Sequence, residues 1–147
     1  MVSTSVTRTV ARILFAPVLV IAAAILVKGY ASTGDGFAAG VVAALGVLMQ
    51  RAAFPVEEIE GTLLVRDAPR IALGGLALAL TVAFVPVARG EALLTHSPAP
   101  GAEPVHVGTL ELITAVAYDV GICALVFGAV VGILSMLGDA AHAEGRS

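Results

Sequence analysis

Asp119 is an acidic residue set inside an otherwise uncharged apolar stretch. A carboxylate in such a setting relays a proton, ligates a cation or pairs with a buried base. Lys28, at the end of another apolar stretch, is the candidate base, and Asp35 lies just beyond it in a glycine-rich segment. Asp119, Lys28 and Asp35 are therefore the ion-path candidates. The plainer readings are an Asp119 that is solvated at the interface, sits at a helix start or pairs with Lys28, and a Lys28 that buries its stem and lifts its ammonium to an interface.

Other reactive side chains form no convincing constellation. His96 and His106 lie in a loop with Pro98, Pro100 and Pro104 and lack a third ligand arranged around them, so they make a poor zinc site. Glu57, Glu58, Glu60 and Asp67 alternate with Arg51, Arg66 and Arg70, which reads as a solvated, salt-bridged loop or a subunit contact. Cys123 reads as a small apolar filler. No Ser/His/Asp set, phosphate-binding loop or haem motif is visible, so the sequence supports neither catalytic residues nor a cofactor nor a metal.

The elements that must position these residues follow from composition. The chain has 147 residues, 59% hydrophobic and 13% charged, with a formal net charge of −3. Its mean hydropathy is +1.00. Soluble domains carry about twice that charge. Residues 13–27, 36–50, 71–88 and 120–138 contain no charge at all. That pattern is a multi-pass membrane protein in a lipid bilayer. It excludes a soluble enzyme with one large core, a nucleic-acid binder and a disulfide-stapled secreted module.

Crossing about 30 Å of hydrocarbon takes roughly 20 apolar helical residues, since every backbone polar group must be satisfied within the segment. Extending the windows to their charged edges predicts four transmembrane helices over about 7–30, 36–54, 71–88 and 111–137 in one all-α membrane domain spanning 1–147. Arg8, Arg12, Arg51, Arg66, Arg70 and Arg146 then fall on one side and Lys28 and Arg89 on the other. The positive-inside tendency makes both termini cytoplasmic. The competing reading takes Arg8, Arg12 and the first apolar run as a secretory signal peptide cleaved near Ala31 and Ser32.

Helices in lipid associate through close packing, so small residues four apart mark contact faces. Such stripes run through Gly36, Gly40 and Ala44, through Gly75, Ala79 and Ala83, and through Ala124, Gly128 and Gly132. At about 100° per residue, Asp119 lies opposite Gly128. Both faces of the last helix then require a protein neighbour, more than four short helices would supply, and other subunits are expected to cover one of them. A chance origin in an alanine- and glycine-rich composition is the alternative for any single stripe.

The most distinctive stretch is Lys28-Gly29-Tyr30-Ala31-Ser32-Thr33-Gly34-Asp35-Gly36-Phe37-Ala38-Ala39-Gly40. It resembles the MnhB/MrpB family, the B subunit of multisubunit Mrp-type Na⁺/H⁺ antiporters, whose first two helices are joined by a turn like Gly-x-x-x-Pro-Gly-Gly-Gly-Phe-x-x-Gly. Gly29, Gly34, Gly36, Phe37 and Gly40 match that turn, while Thr33 stands where the family usually has proline and Asp35 where it usually has glycine. Tyr118 to Ile122 is similar to the family's acidic-x-Gly-apolar stretch. The resemblance implies an accessory subunit of a hetero-oligomeric antiporter in the cell membrane, exchanging Na⁺ for H⁺ with other membrane subunits as partners. Read from the residues themselves, Gly34 and Gly36 allow a tight reversal and a close helix approach, with Phe37 packed at the outer junction; the turn is then either a tight helical hairpin or a direct part of the ion path. Alternatives are a subunit of a membrane-bound hydrogenase-type ion pump, an assembly scaffold without ion contact, and a small membrane enzyme.

Overall fold

A computed structural model describes residues 5–28, 34–55, 58–59, 61–95, 105–107, 110–112 and 114–144. Four long helices dominate it: α1 (Ser5–Lys28), α2 (Gly36–Ala53), α4 (Ala68–Ala88) and α5 (Thr114–Glu144), with a short helical turn, α3 (Leu63–Arg66), ahead of α4. All four long helices are long and apolar enough to cross a membrane.

The boundaries depart from the hydropathy windows where backbone chemistry overrides composition. α4 starts three residues before the uncharged run: the Asp67 carbonyl accepts the Ile71 N–H, and Pro69, in the first turn, has no N–H to leave unpaired. Glu111 does not open the last helix. It lies in β2 (Leu110–Leu112), paired antiparallel with β1 (Val105–Val107), with Glu111 opposite His106. α5 begins only at Thr114 and runs past the uncharged window to Glu144. Glu57, Glu60, His96, Gly29 and Arg146 lie outside the described residues.

In space the helices stand in the order α1, α2, α5, α4. The last helix in sequence is thus wedged between the second and the third. Burial follows the same order: 39% of the apolar window of α2 is covered, against 11% for α1 and 17% for α4 at the two ends. Antiparallel alternation gathers Arg8, Arg12, Arg51, Arg66 and Arg70 at one end of the row and Lys28 and Arg89 at the other.

The expectation that α5 needs another subunit to cover either its Asp119 face or its small-residue face is overturned. Its Asp119 side lies against α2, and its Gly121 and Gly128 side lies against α4. A Cβ on Gly36 would stand 2.3 Å from the Asp119 carbonyl oxygen, and one on Gly128 2.4 Å from that of Ala68. Backbones approach this closely only where one partner lacks a side chain.

The main apolar cluster sits at the arginine-rich end, where Ala44, Val47, Ala68, Phe127 and Val131 enclose Ile59 and Val65. The segment between α2 and α4 is therefore only partly the solvated loop its charges imply. Ile59 and Val65 fold back onto the helices while Glu58, Leu64 and Arg66 remain exposed. Asp67 pairs with Arg70 at 2.8 Å and Arg66 at 3.5 Å. Arg51 crosses to α5 instead and donates to the Ser135 hydroxyl. Gln50 ties α2 to α1 by donating through Nε2 to the Ala11 carbonyl at 2.6 Å.

Candidate functional site

The end opposite the arginine-rich one brings together the turn before α2, the end of α1 and the first turns of α5. Gly34 has φ +115°, a conformation that residues with a side chain rarely adopt, and this lets the chain reverse into α2. Gly36 serves differently. It is already helical, and its missing side chain lets the α2 backbone rest on Asp119. Gly40, one turn on, repeats the contact against Cys123 and Val126.

Asp119 is 4% exposed, the one buried charged residue among those described. With α5 starting at Thr114, it lies about 7.5 Å along the helix, shallower than a start near Glu111 would give. Its Oδ2 accepts the Gly34 backbone N–H at 3.0 Å. That N–H lies just ahead of α2, where unpaired backbone donors and the helix dipole favour a negative group. Asp35, which stands at the cap position, makes no capping bond with its own side chain. The carboxylate from the distant helix supplies acceptance that the local one does not.

The Lys28–Asp119 pair that the charge pattern allows does not form. Lys28 instead lies 3.3 Å from Asp35 Oδ2, with side-chain exposures of 71% and 27%. The contact is an ion pair without hydrogen-bond geometry: Asp35 Oδ2 is itself shielded and accepts no hydrogen bond. The reason is distance along the chain. Lys28 and Asp35 bracket one turn, so closing their pair costs little chain entropy, while Asp119 is already engaged by Gly34. An exposed pair of this kind contributes about 0–1 kcal/mol.

The other packing residues divide. Gly128 is pressed against α4, whereas a Cβ on Gly132 would only touch Pro69 at an ordinary 3.9 Å. Phe37 is 61% exposed, so most of its surface is left uncovered by this chain. Reasoning from sequence passed over Gly121, whose Cβ would meet the Ala79 nitrogen at 2.9 Å and the Gly75 carbonyl oxygen at 3.0 Å. Its signal was the heptad spacing to Gly128, which puts both on one helix face. Gln50, a lone amide at the edge of an apolar window, was a second overlooked residue.

Residues 6–132 match the family model described as a domain related to the MnhB subunit of the Na⁺/H⁺ antiporter. The chain belongs to the MnhB family. No curated protein matches it at a significant level. The family match spans all four apolar helices up to the middle of α5, including the turn and Asp119, so this MnhB-family chain is a subunit of a multisubunit Na⁺/H⁺ antiporter. It acts in a membrane, beside other subunits of that complex.

Proposed function

We propose that this chain is an accessory subunit of the antiporter in the cell membrane. Its termini and the Arg51–Arg70 segment are cytoplasmic, and the Gly34 turn faces outward, as the arginine-rich and arginine-poor ends favour. Its own contribution is a pre-packed row of helices, and it carries no active site. The family match over residues 6–132 is the observation on which this reading rests.

Within that role, Asp119 is a latch. It is buried, and it holds the turn before α2 through the Gly34 N–H. A second reading makes Asp119, Asp35 and Lys28 part of the route by which Na⁺ or H⁺ reaches the larger subunits. The shielded Asp35 Oδ2 favours it, since that oxygen accepts no hydrogen bond and has the Lys28 ammonium beside it. Replacing Asp119 by Asn separates the two readings, because the amide oxygen still accepts the Gly34 N–H but cannot titrate. The latch reading expects the complex to assemble and antiport in membrane vesicles to persist. Loss of antiport with assembly intact establishes the ion route instead.

A further inference from the structure

At the arginine-rich end, the first turns of α1 lean over the end of α2 and leave a pocket of about 360 Å³. Arg8, Thr9, Arg12, Ile13, Phe54 and Glu58 line it. Arg8 and Arg12 are one helical turn apart and so share a face. The Arg12 guanidinium stacks over the Phe54 ring, 5.4 Å from its centroid, which holds the planar cation in place. The first turn of α1 carries no acidic residue, leaving its dipole uncompensated on the same side.

From these features we propose that the pocket binds the phosphate headgroup of an anionic phospholipid. Its position argues for lipid over other anions. The pocket opens at the end of a 24-residue apolar helix, where headgroups lie, and Ile13, 65% exposed on its rim, leads onto the exposed Leu14 and the apolar flank of α1. A phosphodiester seated on the two guanidiniums would lay an acyl chain along that flank. Arginine suits the task because its planar fork meets phosphate oxygens two at a time. Glu58 on the rim opposes the anion and tunes the affinity downward. The site is at the opposite end of the row from Asp119 and is independent of how the antiporter uses that residue.

The test uses the intact complex, stripped of lipid in mild detergent and titrated with dioleoylphosphatidylglycerol or dioleoylphosphatidylcholine, with binding read by native mass spectrometry. A preference for the anionic lipid is expected. The double variant Arg8→Gln/Arg12→Gln should lose about 30-fold of it, as two basic groups at a membrane surface imply. Glu58→Gln, an exposed change that leaves the helices untouched, should strengthen it about fivefold. Raising the salt should weaken binding by the wild type. Unchanged lipid preference in both variants overturns the proposal. So does equal competition by inorganic phosphate, or release of the double-variant subunit from the complex with its lipid preference intact, which would assign the arginines to a neighbouring protein's carboxylates.

Discussion

Two residues at the turn carry opposite kinds of constraint. Gly34 has open space around it, so its requirement is the backbone angle alone. Gly34→Ala is expected to destabilise the solubilised complex by about 1–2 kcal/mol through strain, seen as a lowered unfolding midpoint. Asp119 is required for a bond. Asp119→Ala removes the acceptor and leaves the Gly34 N–H to find another; we expect a loss of about 1–3 kcal/mol, with Asp119→Asn recovering most of it in the same assay. At this scale the sequence was partly legible. A carboxylate inside an apolar stretch announces itself, but its partner is a backbone N–H, which has no signature in a string of side chains. The Lys28–Asp119 pair that the charge pattern allows is not made for a related reason: the pattern offers two carboxylates, and only the fold shows that one of them is taken.

At the scale of elements, the glycines sort by what a methyl group would strike. Gly75 faces the Leu125 nitrogen, with a Cβ at 2.4 Å, while its neighbour Gly74 faces nothing within 4 Å. Gly75→Ala should therefore part α4 from α5 and lower the unfolding midpoint. Gly74→Ala should raise stability by about 0.5–1 kcal/mol, because alanine is the better helix former. Gly132→Ala should be tolerated, unlike Gly128→Ala, although both belong to one small-residue stripe. The four helices themselves were readable from hydropathy to within a few residues, apart from the far end of α5. Two things were not: the β1–β2 hairpin, whose strands of three residues each are too short to show periodicity, and the pairing of stripes. A stripe tells that a helix has a close neighbour and leaves open which one.

For the whole molecule, the segregation of arginines to one end of the row sets an expectation about orientation. Glu58 and Glu91 are both exposed and lie at opposite ends. Cysteine placed at Glu91 should react with a membrane-impermeant thiol reagent on intact cells, and cysteine placed at Glu58 only after the membrane is opened. The reverse pattern would invert the assignment of sides. Native Cys123, half-buried in α5, serves as the background control.

The order α1, α2, α5, α4 also bears on how the subunit is made. Synthesis delivers the keystone last. Until α5 leaves the ribosome, the α1–α2 hairpin and α4 meet only around Ile59 and Val65 at the arginine-rich end, and Gly36, Gly40 and Gly75 lack the α5 backbone they pack against. A nascent chain halted at the β1–β2 hairpin therefore holds its two halves together at one end alone, dependent on α5 to wedge between them and join them along their length.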